Sequence, residues 1–311
     1  MKDVIEAVEE GFRRFDEARL PERMHMELPE QCAVLLLMPA CIGSSAKAGA
    51  LGAKIVSVFE KNPERGLQIV QGIYILLDSN TGAPLAVMDG RFITAIRTAA
   101  TSAVATRFMT TPGRKRLAVF GAGVQAEFHI EAMLAVTEIE RVLIASRTEE
   151  KAKRLVESSK SNYGIECEVV STETAVAEAN LVCTCTSSAS PLFDGSKIKA
   201  GTHINAVGAF TPQTRELDTI AITRSRLIID AESAAGREAG EIRIPVSEGA
   251  ITVDHIKGTL SQVVSRQIDG RASKDEITIF KSCGLALEDL VTADLAYRIA
   301  KQSGIGVDVP M

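Results

Sequence analysis

Tryptophan is absent from the 311-residue sequence, and aromatic residues make up only 4% of it. The stacking platforms that hold single-stranded nucleic acids are therefore missing. No cationic surplus replaces them: 35 Lys and Arg stand against 40 Asp and Glu, a formal net charge of −5. That balance argues against a generic DNA or RNA footprint. Long apolar runs are lacking too. The longest, such as Ala33–Ala40 and Gly72–Leu77, fall well short of the roughly eighteen residues needed to span a bilayer, and no membrane anchor is expected. The opening MKDVIEAVEEGFRRF is acidic and helically periodic, without the basic-then-apolar layout of a secretory signal. A cytoplasmic location is expected. The six cysteines form no CxxC pair and are expected as reduced core thiols. His25, His129, His203 and His255 show no ligand spacing, so no metal site is expected, and no GxSxG elbow supports a hydrolase.

What is present is aliphatic and patterned. Val4, Ile5, Val8, Phe12 and Phe15 recur near helical spacing over residues 2–18, which predicts an amphipathic helix. Between Cys32 and Asp89 the runs AVLLLM, AKIVSVF, GIYILLD and PLAVMD alternate with turn signals such as Ser79-Asn80-Thr81-Gly82. Hairpins and a mixed or antiparallel sheet are expected there. The Ala-rich segment Arg91–Met109 reads as a mostly buried helix ending before Pro112-Gly113, the expected domain boundary. Strands and helical stretches then alternate through RLAVF, RVLIAS, ECEVVS and LVCTCT, the mark of βαβ units and a doubly wound parallel sheet. Residues 232–249 read as a polar stretch, ITIFKS as the last strand and 285–302 as a terminal helix.

The segment RLAVFGAGVQAEFHIEAM sets Gly121, Gly123 and Ala126 directly between a strand and a helix. Gly121 permits the tight turn, Gly123 lets a pyrophosphate approach the backbone, and Ala126 suits close helix–strand packing. The helix N-terminus would stabilise the pyrophosphate charge; a glycine turn without a ligand is the alternative. An acid about 20 residues further on would take the ribose 2′-OH of NAD. This chain has Ser146-Arg147-Thr148 there. One arginine and two hydroxyls suit a 2′-phosphate, so NADP(H) is favoured and NAD(H) left open. Against that reading, Arg147 could be a plain solvated residue and Glu149 or Glu150 could replace the acid.

From about Glu22 to Ala300 the sequence resembles the ornithine cyclodeaminase/μ-crystallin family. The motifs LLLMPA, GAKIVSVFEKNPERGL, PLAVMDGRFITAIRTAATSAVAT, VFGAGVQA, GTHINAVGA followed by RELD, and SCGLALEDL carry the resemblance in order. It implies a two-domain α/β oxidoreductase. A Rossmann-type dinucleotide-binding domain would span 113–285, and an α+β substrate-binding and dimerisation domain 1–112 plus 286–311. A small imino or amino acid would be held through its carboxylate by Arg23, Lys54 and Arg97, with Lys54 also the expected catalytic residue. An arginine fork grips a carboxylate bidentately, and a lysine adds a compact charge able to relay a proton. A structural ion pair is the alternative for Arg97. The expected cofactor set is Gly121, Gly123, Val124, Gln125, Ala126, Ser146, Arg147 and Thr148, with Cys185, Thr186, Val207 and Gly208.

One departure from the family narrows the expected activity. Family cyclodeaminases carry an Asp in patterns like NAVGGD, where this chain has Val207-Gly208-Ala209-Phe210. Phe210 cannot move a proton. Members more like μ-crystallin also lack that Asp and reduce cyclic ketimines with NADPH, which needs fewer proton steps. The expectation is reduction of Δ1-pyrroline-2-carboxylate or Δ1-piperideine-2-carboxylate, with Lys54 or water as proton donor, in a homodimer. Ornithine cyclodeamination, an alanine-dehydrogenase-like activity and non-catalytic NADPH and ligand binding are the alternatives. Glu216 and Asp218 are expected to brace or cap a helix start. Asp289 is expected in a helix salt bridge or, less so, near the nicotinamide, and His129 and His203 as satisfied histidines.

Overall fold

The computed structural model describes residues 1–44 and 47–309. The chain divides into two units, one of residues 6–97 with 285–311 and the other of residues 1–5 with 98–284. The division falls inside a long helix rather than at Pro112-Gly113. Up to residue 109 the elements are α1 (Lys2–Arg13), β1 (Ala18–Arg19), β2 (Met24–Leu28), β3 (Ala33–Ser44), β4 (Lys47–Phe59), β5 (Val70–Leu77), β6 (Pro84–Asp89) and α2 (Gly90–Met109). Beyond it come β7 (Lys115–Phe120), α3 (Val124–Val136), β8 (Ile139–Ala145), α4 (Glu149–Tyr163), β9 (Cys167–Val169), α5 (Thr172–Glu178), β10 (Leu181–Thr184) and β11 (His203–Ala206). The chain continues through α6 (Thr219–Thr223), β12 (Ser225–Ile229), α7 (Ala235–Glu238), α8 (Gly240–Ser247), β13 (Ile256–Thr259), α9 (Leu260–Val264), β14 (Ile277–Lys281) and α10 (Ala286–Ser303). No helix among the described residues is long and apolar enough to cross a membrane.

In the first unit the β-rich runs form one antiparallel sheet in the order β1-β3-β4-β5-β6, with β2 also paired to β3. Its register sorts the side chains. Met38, Lys54, Tyr74 and Met88 lie opposite one another on β3, β4, β5 and β6, and period-two alternation places them on one face with Leu36, Ala40, Val56 and Leu76. Apart from half-buried Met88 on β6 that face is buried, and α10 packs across β3, β4 and β5. The other face carries Leu37, Ile55 and Ile73 in register with Met24 of β2. There Met24, Ile73 and Val87 remain 58%, 44% and 64% exposed. Both faces are thus apolar but only one is covered, which is unusual for a sheet with one solvated side.

The second unit is an eight-stranded sheet in the order β13-β12-β14-β11-β10-β7-β8-β9. Every pairing is parallel. Strands covered on both faces read as continuous apolar runs rather than alternating ones; β10 and β11 are buried at every position. After β7 the chain winds one way through β8 and β9 and the other way from β10 onward, so a topological switch point lies between β7 and β10. Two sequence expectations change here. Residues 232–249 contain α7 and α8 rather than a plain polar stretch, and β13 adds an edge strand at Ile256–Thr259. Both escaped because they are short: four and eight residues of helix and four of strand give periodicity little to register on.

Candidate active site

The glycine turn lies at the switch point, where β7 gives way to α3. Gly121 has φ +107°, and a Cβ there would stand 2.7 Å from the Cys185 carbonyl oxygen, inside contact distance. Only glycine tolerates both the left-handed backbone and the approach. Gly123 is the N-cap of α3 with no side chain to cap the helix, and nothing lies within 4 Å of where its Cβ would be. Among the described residues no side chain therefore crowds Gly123, and the uncapped N-terminus of α3 is of the kind that suits a phosphate. Ala126 is fully buried, as the third position of the pattern requires, while Val124 is exposed. Gln125 is half-buried, and its backbone carbonyl lies 2.7 Å from His129 Nδ1. That ring, pressed down to about 4 by burial, meets Ser102 Oγ through Nε2 at 3.0 Å.

Ser146, Arg147 and Thr148 follow the end of β8. Ser146 Oγ accepts from the Thr148 N–H at 3.2 Å, and Arg147 and Thr148 are exposed. Cys185 and Thr186 lie just past the end of β10, and Val207 and Gly208 just past β11. Because the sheet is parallel, all these strand ends share one edge. The twelve cofactor positions thus fall in loops at that edge or in the first turn of α3.

Glu216 fixes two of those loops and was expected only to brace a helix. Its fully buried carboxylate accepts from Thr184 Oγ1 at 2.6 Å, Thr186 N at 2.8 Å, Thr186 Oγ1 at 2.6 Å and Gly208 N at 2.7 Å. Burial pushes the carboxyl up, against the pull of these bonds. Behind it Glu241 accepts from the Glu216 N–H at 2.9 Å and lies 3.2 Å from Lys281, whose ammonium also donates to the Ala209 carbonyl. Asp218 does cap, accepting from the Ala221 N–H at 2.7 Å at the start of α6. Phe210, where cyclodeaminases carry the acid, is 39% exposed.

The antiparallel sheet holds a second constellation. Lys54, 1% exposed on β4, places its ammonium 2.7 Å from Asp289 Oδ2 and donates to Thr94 Oγ1 at 3.2 Å. Thr94 in turn donates to the Gly90 carbonyl at 2.6 Å, which orients its oxygen toward the lysine. Arg97, one turn of α2 beyond Thr94, donates through Nε to Asp289 Oδ1 at 2.9 Å and through Nη1 to Glu288 Oε2 at 2.5 Å. Two cations and two anions are thus interlocked, with both acids on the first turn of α10, where the helix dipole favours them. Burial lowers Lys54 to about 8 despite the raising influence of Asp289. Arg97 feels the same burial, but Asp289 and Glu288 more than offset it and hold it charged.

Lys54 and Arg97 are therefore brought together as expected, and the ion-pair reading of Arg97 and Asp289 holds as well. Arg23 is half-buried immediately before β2. The pairing of Met24 with Leu37 carries it to the level of Met38, which lies opposite Lys54. On the other side of Lys54 stands Tyr74, fully buried, whose hydroxyl has no hydrogen-bond partner among the described residues. A Cβ on Gly52 would stand 2.6 Å from that hydroxyl, so glycine makes its room. No group of three or more metal-ligating side chains occurs among the described residues.

A parallel sheet with a glycine turn and a bare helix N-terminus at its switch point defines a Rossmann-type α/β protein, here joined to an antiparallel sheet bearing a buried Lys–Arg pair. Residues 1–304 match the ornithine cyclodeaminase/mu-crystallin family, and the chain belongs to it. It is 35% identical to a Δ1-pyrroline-2-carboxylate reductase of Bacillus cereus, over 98% of this chain and 94% of that protein. Among solved structures, the Thermococcus litoralis Δ1-pyrroline-2-carboxylate reductase in complex with NADH and L-proline superposes with a TM-score of 0.95. Its identity is 37%, covering 99% of this chain and 95% of that one. An archaeal alanine dehydrogenase dimer with bound NAD gives a TM-score of 0.93 at 33% identity, over 100% and 95% of the two chains.

Proposed function

We propose that this chain reduces a small cyclic ketimine, Δ1-pyrroline-2-carboxylate or its six-membered homologue Δ1-piperideine-2-carboxylate, to the L-imino acid. The cofactor is a nicotinamide nucleotide, NADPH in preference to NADH. The observation that carries the reading is Lys54: a buried ammonium, poised at about 8 and set beside Arg97, in a chain whose relatives reduce pyrroline-2-carboxylate.

When bound, the nicotinamide supplies a hydride to the imine carbon. The chain's own residues do the rest. Arg97 and Lys54, with Arg23 at the same level of the sheet, hold the carboxylate and so fix which face of the ring is presented, an orientation effect that can supply several kcal/mol. Below pH 8 Lys54 is protonated in most molecules, and its Nζ proton passes to the imine nitrogen as the C=N bond is reduced. Proton transfer by a placed acid typically contributes about 10²–10⁴-fold. Gly121, Gly123, Val124, Gln125 and Ala126 would hold the pyrophosphate at the start of α3. Thr186 and Gly208, held by Glu216, and their neighbours Cys185 and Val207 would hold the rest of the cofactor. Exposed Arg147 with Ser146 and Thr148 would hold a 2′-phosphate.

The uncovered apolar face of the antiparallel sheet, with Met24, Ile73 and Val87 exposed together, supports a homodimer, since clustered exposed apolar side chains mark interaction sites. All six cysteines are free thiols, in keeping with a cytoplasmic protein. Phe210 disfavours ornithine as substrate; the archaeal alanine dehydrogenase likeness keeps pyruvate with ammonium as the second reading.

Absorbance at 340 nm, followed with NADPH and separately NADH, tests the reading. The substrates are enzymatically generated Δ1-pyrroline-2-carboxylate, Δ1-piperideine-2-carboxylate, and pyruvate with ammonium. Rapid oxidation on the cyclic ketimines, faster with NADPH, is expected. Turnover on pyruvate and ammonium alone would replace this reading with the second one, and no turnover by cofactor-binding protein would leave it a binding protein.

A further inference from the structure

We propose that Asp289 is the positioning residue of this site, tying the Lys54 ammonium and the Arg97 guanidinium into one unit that meets the substrate in a fixed geometry and keeps Lys54 charged until the imine nitrogen takes its proton. The inference rests on the proposed ketimine reduction for its kinetic consequences, though not for the charge state of Lys54.

The geometry points to Asp289 and not to its neighbour. Its Oδ2 lies 2.7 Å from Lys54 Nζ and its Oδ1 accepts from Arg97 Nε at 2.9 Å, so one carboxylate spans both cations. Glu288 is paired with Arg97 at Nη1. The groups facing Lys54 are few. From α2 come Thr94 and Arg97, from α10 Asp289 and Glu288, from β5 the Tyr74 phenol and from β3 the apolar Met38. Burial and Arg97 both work against a charged lysine, and Asp289 is the largest influence in its favour, acting by charge and by hydrogen bond, with Glu288 the smallest. A lysine buried in this way with only Thr94 beside it would be neutral near pH 7 and could give no proton.

In the reduction the C=N π bond breaks, the carbon gains the hydride, and the nitrogen gains a proton from Lys54. Lys54 is left as a neutral amine that regains its proton from water. Asp289 exchanges no atom in the cycle. It sets how readily the lysine recovers its proton and where the ammonium points.

Asp289→Asn keeps the shape and the acceptor for Arg97 but removes the charge. An opposite charge at this range shifts a partner by about one to three pH units. Lys54 should then fall from about 8 to roughly 5–7, and for a two-unit fall kcat/KM at pH 7 should drop about tenfold and recover at pH 5. Glu288→Gln should move the same limb far less, and Asp289→Glu should leave it near its original place while lowering kcat through the displaced ammonium. The second readout is direct: the 13Cε shift of Lys54 in protein labelled with 13C-lysine, assigned by its loss in Lys54→Arg, titrated with pH. An unchanged Lys54 titration in Asp289→Asn would overturn the proposal, as would a rate loss equal at all pH values. Should Asp289→Asn fail to fold, a Lys54 titration displaced in Glu288→Gln by about one pH unit or more, the range expected of Asp289 alone, would overturn it too. Wild-type protein without ketimine turnover would sink the proposed function, and the 13Cε titration would still decide this inference.

Discussion

Replacing Glu216 by Gln tests whether one buried carboxylate holds the cofactor loops. The wild-type group accepts four bonds: Oε2 from Thr184 Oγ1 and Gly208 N, Oε1 from Thr186 N and Oγ1. An amide has one oxygen and one NH2. If the NH2 replaces Oε2, Thr184 can turn its hydroxyl and accept, but the Gly208 N–H then meets another donor. If it replaces Oε1, the Thr186 N–H suffers the same fate. Either way one buried backbone N–H is orphaned, which costs about 1–3 kcal/mol, and the remaining bonds lose their charge assistance. Removing a buried charge returns part of this, because burial already strains the ionised carboxyl. A net loss of about 2–4 kcal/mol is expected. Gly208 cannot simply shift inward, since a Cβ there would stand 2.1 Å from the Thr186 carbonyl oxygen, so the loops should move apart. Urea unfolding reads the stability, and quenching or enhancement of NADH fluorescence reads the affinity, which should weaken about tenfold or more. Asp218→Ala is the control: it removes a helix cap worth about 1 kcal/mol and should not move NADH affinity. Stability within about 0.5 kcal/mol of wild type, together with affinity within about twofold, would refute the reasoning.

Three further outcomes are expected. His129 and His203 are buried and pressed down, chiefly by burial, to about 4 and about 3. The unfolded chain binds their protons below about 6.5, so stability is lost as pH falls; between pH 7 and pH 5 the pair should cost about 4 kcal/mol, and His129→Gln should halve the slope of urea midpoint against pH. Arg147→Ala should cut the NADPH-over-NADH ratio of kcat/KM about tenfold, the loss of one charge-assisted phosphate bond; an unchanged ratio would remove Arg147 from the cofactor site. Ile73→Lys places a charge in the middle of the uncovered sheet face and should give monomers by light scattering, whereas an unaltered dimer would locate the interface elsewhere.

Most of the architecture is visible in the patterning of the sequence. The switch from β-rich runs to strand–helix alternation near Pro112-Gly113 separates the two sheets correctly, because period two and βαβ texture are local properties of the chain. Gly121, Gly123 and Ala126 are legible for the same reason: strand, turn and helix follow one another within one short segment. The compact division inside α2 was not legible. Residues 90–97 and 98–109 form one unbroken helix, and a helix leaves no turn signal where its packing partner changes. The short α7, α8 and β13 fall below the length at which periodicity speaks, and Cys185 and Thr186, which read as a continuation of the strand, lie just past its end.

Among the groups that sequence singles out are Lys54, Arg97, Thr186 and Gly208, and the groups that hold them are buried acids. Lys54 and Arg97 stand out because a charge in an apolar strand or helix demands a partner. Nothing local says which partner, and Asp289 lies 192 residues from Arg97. Glu216 is 30 residues from Thr186 and reads in RELD as an ordinary helix brace beside Asp218, which does cap. The difference between the two acids is geometric. Asp218 meets α6 three residues on, while Glu216 turns back to the ends of β10 and β11, a direction that only the parallel order of those strands supplies. A buried carboxylate costs folding energy unless it is paired and hydrogen-bonded, and beside Lys54 and under Thr186 and Gly208 that cost goes to holding geometry at the proposed substrate and cofactor sites; Asp230, equally buried, instead ties the loop after β14 to the start of α7 through Cys283, Gly284 and Ala235.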